Sequence, residues 1–315
     1  MNRGRHVRPL VSSVIVPILL VLPFGWMTGT SLASSPFPDP GSPSQVIALV
    51  KKSHAIEKLP NKLVPSLGNV STDNSSFYYP ETYDGCAGAK QCVFGDTKSS
   101  KTVVLFGDSH AGMWLPSIVP VVTAFKERLV LIWDPLCPTA NVSVSGPGSP
   151  WIACSIFRPQ AITTIRNMHP SLVLLADRTA AVKNQKNRSF TNAQWQTGEE
   201  QTIAALKSKT TTVAVIGDIT ALSQTPPECL ATYPTNIQKC SVKNPNPKMN
   251  QHLSAERAAA KAEDIVYLNP EPWFCNSTCS PVIGNMVVYF NEYHVTATYA
   301  GYLSTIFGNA LKPLL

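Results

Sequence analysis

KTVVLFGDSHAGMWLP, residues 101–116, is the stretch of sequence that decides the fold. An apolar, β-branched run leads into Gly107, a turn with Asp108, Ser109 and His110 follows, and apolar residues then recur at helical spacing. This order is typical of a buried strand that leads through a tight turn into a helix. Strands buried on both faces belong to parallel sheets covered by helices, so the stretch predicts an α/β protein.

The same pattern repeats along the rest of the chain. We predict five buried strands, at residues 102–106, 129–133, 171–176, 211–216 and 264–268. We predict helices at residues 111–127, 157–167, 193–207, 253–262 and 296–311, with Pro120 kinking or shortening the first. This alternation predicts a doubly wound sheet, in which ligands bind at the carboxyl ends of the strands.

The N-terminal region, residues 1–35, is typical of an export signal. Three arginines lie within the first eight residues, an almost wholly apolar run occupies residues 10–27, and small residues follow at 31–33. The apolar run is close to the ~18–20 residues that a membrane span needs. The segment is therefore predicted to be a cleaved signal or a single anchor, and the protein to be extracytoplasmic, either secreted or membrane-anchored.

The region after the signal, residues 36–80, is rich in Ser, Pro and Asn. It contains one short helical candidate at residues 45–51 and is predicted to be a linker or a strap over the domain. Residues 81–315 then form the predicted α/β domain.

Eight cysteines follow the signal in close sequential pairs. Nearest-neighbour disulfides are the natural expectation in an exported chain, although many other connectivities are possible. The expected pairs are Cys86 with Cys92, Cys137 with Cys154, Cys229 with Cys240, and Cys275 with Cys279. Zinc-type C-x-x-C spacing and a nearby His cluster are both missing, so no metal or other cofactor is expected.

The charge distribution argues against a nucleic-acid partner. Charged residues make up 14% of the chain, and the net charge of +7 is spread thinly along it. A nucleic-acid footprint would need a basic patch or stripe, and the sequence shows none.

Ser109 and His294 form the predicted chemical centre. Ser109 follows the first strand at a sharp turn, which exposes its hydroxyl and directs backbone N–H groups at the reacting atom. The structural alternative is that Ser109 and Asp108 only cap the helix. His294 stands in YFNEYHVT, residues 289–296, before the last helix, where it is expected to be the general base that a serine needs. His110 is expected to pack or to hydrogen-bond locally.

These residues resemble those of the SGNH hydrolases, and more closely the extracytoplasmic SGNH domain that is often fused to membrane acyltransferases of bacterial surface glycans. The resemblance covers residues 83–307. Its motifs are Tyr83-Asp84-Gly85-Cys86, Gly107-Asp108-Ser109-His110-Ala111 with Trp114 and Pro116, Cys137-Pro138, Cys154 after Trp151, Ile216-Gly217-Asp218, Phe274-Cys275 with Cys279, and residues 289–294. It implies a flavodoxin-like three-layer sandwich around the five-stranded, mostly parallel sheet. It also implies Ser109 as nucleophile, His294 as base, and the Ser109 backbone N–H in the oxyanion hole.

Asn291 departs from the family pattern, which usually has Asp three residues before the base. An amide can hold the ring but cannot stabilise the imidazolium, and such a change costs ~10⁴ in rate in a serine protease. Glu292 would supply the charge if the loop were re-registered; otherwise the site would work as a Ser-His dyad. Gly146 or Gly148 could add an oxyanion N–H. The residues assigned to the oxyanion or substrate-binding side of the site are Gly107, Asp108, His110, Asp177 and Arg178.

The leading functional interpretation is a serine esterase or O-acyltransferase acting on acyl groups of cell-envelope glycans, above all acetyl groups, through an acyl-Ser109 intermediate. Its expected substrate is an acylated glycan or a small ester. Acyl transfer would need a separate membrane acyltransferase as partner, because only residues 10–27 are long and apolar. The rival, motivated by Asn291, is a degenerate SGNH domain that binds glycan or a membrane partner. A disulfide-stapled structural envelope protein is the third interpretation.

Overall fold

The structure, a computed structural model, describes residues 36–82, 91–144, 152–180, 182–184, 186–246 and 252–315. The predicted signal or anchor, Cys86, Gly146 and Gly148 lie outside these ranges. The strands are β1 (Cys92–Gly95), β2 (Thr102–Gly107), β3 (Arg128–Trp133), β4 (Leu172–Ala176), β5 (Thr212–Ile216), β6 (Val242–Lys243), β7 (Val266–Leu268), β8 (Thr278–Cys279), β9 (Val282–Ile283) and β10 (Met286–Val287). The helices are α1 (Pro43–Ser53), α2 (Ser75–Tyr78), α3 (Ser109–Met113), α4 (Leu115–Ala124), α5 (Ile152–Met168), α6 (Asn192–Leu206), α7 (Pro226–Thr232), α8 (Leu253–Ala262), α9 (Ala297–Tyr302) and α10 (Ser304–Leu311).

A six-stranded sheet in the order β1-β3-β2-β4-β5-β7 forms the centre of the molecule. Five of its strands are parallel to one another and correspond to the five predicted strands; they are β3, β2, β4, β5 and β7. The sixth, β1, lies antiparallel to β3, with Cys92 opposite Leu131. The predicted count of five therefore missed one edge strand. β1 has only four residues, and its second residue faces solvent, so its apolar signal is too short to read in sequence.

The first predicted helix, residues 111–127, is wrong in its bounds. The structure divides it into α3 and α4, with Trp114 between them. Pro116 has no N–H to donate to the Gly112 carbonyl, so the first helix ends before it. For the same reason the proline is favourable as an early residue of the second helix. Pro120 is accommodated inside α4, which ends at Ala124 because Lys126 adopts a positive φ of 55°.

Two further predicted elements are also altered. The last helix, predicted over residues 296–311, is α9 and α10 joined at Leu303. The strand predicted over residues 264–268 starts only at Val266, because Asp264 takes a left-handed conformation with φ 51°. The predicted type of each segment is right, and only its limits differ.

The alternation of side chains along the strands divides the core into two layers. Val103 and Leu105 of β2 point into the cluster that includes α1, α4, α9 and α10. Val104 and Phe106 point into the cluster formed with α5, α6 and α8. Helices therefore cover both faces of the sheet, as the predicted three-layer α/β sandwich requires.

The region predicted as a linker or strap packs along the domain as a strap. Ser42 caps α1 in a capping box, and Val46 and Val50 are fully buried in the first core layer. Farther along, the Asp73 carbonyl accepts a hydrogen bond from Ala297 N at 2.9 Å, which ties the strap to the start of α9. This contact places the strap beside the carboxyl edge of the sheet.

Three of the four expected disulfides are present in the described ranges. Their Cα–Cα distances are 5.4, 5.8 and 4.3 Å, and they join Cys137 with Cys154, Cys229 with Cys240, and Cys275 with Cys279. The pairing of Cys86 with Cys92 stays a prediction, since Cys86 is not described. Within the described ranges, no helix is both long and apolar enough to cross a membrane.

Candidate active site

Ser109 stands at the carboxyl end of β2, as the first residue of α3. Gly107 lets β2 and β4 approach closely here, since a Cβ at this position would lie 1.9 Å from the Ala176 carbonyl oxygen. Asp108 is the helix cap, and its carboxylate accepts from His110 N at 2.8 Å. The same carboxylate accepts from Arg178 N at 3.0 Å, so it also ties the turn to the end of β4.

The central contact of the site joins two side chains that are 185 positions apart. His294 Nε2 lies 2.8 Å from Ser109 Oγ. Phe290 stacks on the His294 ring at 5.3 Å between centroids. Burial, together with the charges of His110 and Arg178, lowers the pKa of His294 to about 2. The ring is therefore neutral across the ordinary pH range, which is the form that can accept a hydroxyl proton.

Asn291 holds the other side of the imidazole. Its Oδ1 lies 3.1 Å and its Nδ2 3.0 Å from His294 Nδ1. Oδ1 also accepts from the backbone N–H groups of Tyr293 and His294, at 3.1 and 2.9 Å. If Nδ1 carries the proton, it donates to Oδ1 and leaves Nε2 free to accept from Ser109. If Nδ2 donates to Nδ1 instead, the ring proton is on Nε2 and the ring cannot act as base, so the two tautomers compete.

Glu292 does not take the place of the missing carboxylate. Its Oε1 accepts from Thr225 Oγ1 at 2.6 Å, and its carbonyl accepts from Leu222 N at 2.6 Å. The hypothesis that a re-registered loop brings Glu292 to the imidazole is therefore wrong. The i to i+3 spacing assigns the role of ring partner to Asn291.

His110 lies directly beneath the reactive pair but does not face the Ser109 hydroxyl. Its ring is buried, with its centroid 5.1 Å from that of His294, and its Nδ1 lies 2.7 Å from Asp218 Oδ1. Burial alone would lower the pKa of His110, but the charge and hydrogen bond of Asp218 outweigh burial and raise it. His110 was expected to pack or to hydrogen-bond locally; it packs against His294, while its hydrogen-bond partner lies 108 residues away.

Asp218 is a residue of this site for which no role was predicted. It stands two residues after the end of β5, and its Oδ2 accepts from Thr179 N at 2.8 Å and from the Thr179 hydroxyl at 3.0 Å. Its pKa is lowered, because the His110 charge and these hydrogen bonds outweigh the effect of burial. Two signals pointed to it: an acid close to the end of a buried strand, and its place in the Ile216-Gly217-Asp218 motif.

Asp177 and Arg178, both assigned to substrate binding, have different surroundings. Asp177 is buried, and its Oδ2 accepts from Thr139 N at 2.7 Å and from Thr139 Oγ1 at 2.5 Å. Burial and the nearby Asp108 raise the pKa of Asp177 to about 7. Its role is to hold the loop after β3, and the prediction that it lines the pocket is wrong. The half-buried Arg178 lies with its guanidinium 3.5 Å above the Tyr293 ring.

A pocket of about 210 Å³ opens beside Ser109 and His294. Its floor and inner wall are mostly apolar, formed by Gly112, Met113, Trp133 and Phe290. Polar residues of the strap also line it, together with Thr82 just after the strap; those of the strap are Asn74, Ser75 and Ser76. The arrangement can hold a small acyl group against the reactive pair. Within the described ranges, no group of three or more His, Cys, Asp or Glu side chains is placed to hold a metal ion.

Comparisons with known proteins identify the family and the fold. The family described as "SGNH domain (fused to AT3 domains)" matches residues 77–309. The periplasmic domain of a Salmonella Paratyphi A lipopolysaccharide acetyltransferase has a TM-score of 0.57 at 16% identity, over 82% of this chain and 99% of that one. That likeness shows a shared fold.

Two other solved structures are similar over 68% of this chain and 100% of their own. A carbohydrate acetylesterase from Sinorhizobium meliloti has a TM-score of 0.45 at 12% identity. An aryl esterase from M. smegmatis has a TM-score of 0.46 at 14% identity. No curated protein sequence gives a significant match to the chain.

Proposed function

The chain belongs to the SGNH domain family, and on that premise we propose that it is an extracytoplasmic serine esterase or O-acyltransferase acting on acyl groups of cell-envelope glycans. The observation that carries the proposal is the 2.8 Å contact between His294 Nε2 and Ser109 Oγ. A serine hydroxyl becomes a useful nucleophile when a neutral imidazole can take its proton. This contact provides that acceptor at hydrogen-bonding distance.

The proposed reaction has two steps. Ser109 Oγ attacks the ester carbonyl while its proton passes to His294 Nε2, and the carbonyl oxygen becomes an oxyanion. The backbone N–H of Ser109, unpartnered at the first position of α3, is assigned to stabilise that oxyanion. His294 then returns the proton to the departing alkoxide, which leaves an acyl-Ser109 intermediate. In the second step the acceptor hydroxyl loses its proton to His294 and attacks the acyl carbonyl. The bond to Ser109 Oγ then breaks, and His294 returns the proton to that oxygen.

The acceptor decides the type of reaction. Water makes the protein an esterase, whereas a sugar hydroxyl makes it an acyltransferase. For transfer, a separate membrane acyltransferase would deliver the acyl group. The small apolar pocket beside Ser109 supports acetyl as the acyl group. The structurally similar Salmonella domain belongs to a lipopolysaccharide acetyltransferase, which supports a glycan as acceptor, and the disulfides support an extracytoplasmic location.

The test is hydrolysis of a chromogenic acetyl ester by the purified protein, with mass spectrometry of the intact chain during turnover. We expect a mass increase of one acetyl group, and we expect Ser109→Ala to lose both turnover and adduct. Ser117→Ala is the matched control, because Ser117 is buried in α4 and donates to the Ala300 carbonyl, away from the pocket. Unchanged turnover in Ser109→Ala would refute the role of Ser109.

Asn291 supports a second candidate function. With an amide in place of the usual acid, the domain could bind glycan or a membrane partner without catalysis. Absence of turnover in both the natural chain and Asn291→Asp, together with measurable glycan binding, would favour this binding module over the enzyme.

A further inference from the structure

A second cavity, of about 700 Å³, lies among the loop after β3, the loop after β4 and the N-terminal half of α6. It shares no lining residue with the pocket beside Ser109. Four amide side chains line it, and the buried Phe190 lies at its base, packed against Trp195. The amides are those of Asn141, Asn184, Gln194 and Gln201. We call it the β4-loop cavity.

The charged residues that line the β4-loop cavity are both cations. Lys186 and Arg188 line it, are exposed, and have no ion-pair partner among the described residues. No carboxylate is among the lining residues. The loop that carries these two cations begins at Asp177, includes Arg178 beside Tyr293 of the candidate active site, and also carries Lys183. The cations are therefore available to an external negative group.

The backbone N–H groups of the two cations both donate to one side chain. The Asn184 side-chain oxygen accepts from Lys186 N at 2.9 Å and from Arg188 N at 3.1 Å. Asn184 N donates to the Arg188 carbonyl at 2.8 Å, and an antiparallel bridge joins Lys183 with Ser189.

We propose that the β4-loop cavity binds an anionic segment of the glycan whose acyl group reaches Ser109. The amide oxygens of Asn184, Gln194 and Gln201 accept hydrogen bonds within the protein, so their NH₂ groups are the ones that can donate to sugar hydroxyls. Lys and Arg side chains bind carboxylate or phosphate. The proposal rests on the proposed function for its substrate, and it adds that the glycan carries negative charge. A concave wall of amides fits a sugar chain better than it fits the flat surface of an anionic membrane.

The test measures binding separately from catalysis, with the full chain carrying Ser109→Ala so that no probe is consumed. The probes are polygalacturonate, which carries carboxylates, its methyl-esterified form, which is neutral, and wall teichoic acid, which carries phosphates. Vesicles of phosphatidylglycerol give the membrane arm. We expect binding to polygalacturonate or to teichoic acid, little binding to the neutral ester, and affinity that falls as salt is added.

The diagnostic variant is Lys186→Glu with Arg188→Glu. We expect its affinity for the anionic glycan to fall by roughly tenfold or more, since two favourable contacts become repulsive. The matched control is Lys51→Glu with Lys52→Glu, which makes the same change in net charge on α1, in the layer on the other face of the sheet. Without the Ser109→Ala background, both variants should hydrolyse a small acetyl ester at the natural rate.

Three results would overturn the proposal. The first is equal affinity for polygalacturonate and its neutral ester, together with no binding of teichoic acid. The second is an equal loss of glycan affinity in the two double variants. The third is vesicle binding that depends on Lys186 and Arg188 while glycan binding does not. Failure of the proposed function has a different signature, because a chain without esterase activity would still show charge-dependent glycan binding here.

Discussion

Replacing Asn291 with Asp is expected to accelerate ester hydrolysis by roughly 10²-fold in kcat/KM. In the natural chain both amide atoms lie close to His294 Nδ1, at 3.0 and 3.1 Å. A carboxylate offers only acceptors, so the ring proton must stay on Nδ1 and Nε2 is always free for the Ser109 proton. The carboxylate also stabilises the positive charge that the ring gains during attack.

The magnitude follows from the distance and the burial. A full negative charge about 4 Å from the centre of the imidazolium is worth about 4 kcal/mol at an effective dielectric constant of about 20. Burying the new carboxylate costs part of this gain, although the N–H groups of Tyr293 and His294 already donate to the position of Oδ1. A net gain of about 2.7 kcal/mol corresponds to the hundredfold increase.

The assay is the pH dependence of kcat/KM for a chromogenic acetyl ester. The pKa of His294 is about 2, so its ring should stay neutral down to acid pH. The kcat/KM of the natural chain should therefore stay constant over that range. A neighbouring carboxylate raises the pKa of His294 towards its ordinary value of 6.5. The kcat/KM of the variant should therefore begin to fall at a higher pH than that of the natural chain. Asn291→Ala is the control, because it removes the ring partner without adding charge. A folded Asn291→Asp variant no faster than the natural chain would refute the reasoning.

Three further substitutions test the surroundings of the site. Gly107→Ala should destabilise the protein by at least about 3 kcal/mol in denaturant unfolding, because its Cβ would lie 1.9 Å from the Ala176 carbonyl oxygen; an unchanged midpoint would contradict this. Glu292→Gln should change kcat/KM by less than about twofold, because Glu292 bonds Thr225 and not the imidazole, and a large loss would restore it to the triad. Trp133→Leu should raise the ratio of butyrate to acetate ester turnover by roughly tenfold, since Trp133 is the bulkiest wall of the small pocket, and a constant ratio would mean that acyl length is limited elsewhere.

The sequence by itself determined the α/β class and the positions of Ser109 and His294 relative to its strands. Both follow from local signals, because a buried parallel strand needs a continuous apolar run, and ligands of such a sheet bind where its strands end. Comparison with the family pattern added that Asn291 stands where an Asp is usual, three positions before the base. The SGNH family itself, predicted from these motifs, is confirmed.

Only the tertiary structure decided which groups meet across long stretches of chain. The bond of His110 to Asp218, the packing of Asp177 on Thr139, and the antiparallel edge strand β1 depend on how loops and strands pair in three dimensions. Sequence periodicity reports which face of an element is buried, but it does not report which element lies opposite. The lining of the pocket by strap residues and the clustering of cations around the β4-loop cavity were therefore invisible until the chain was folded.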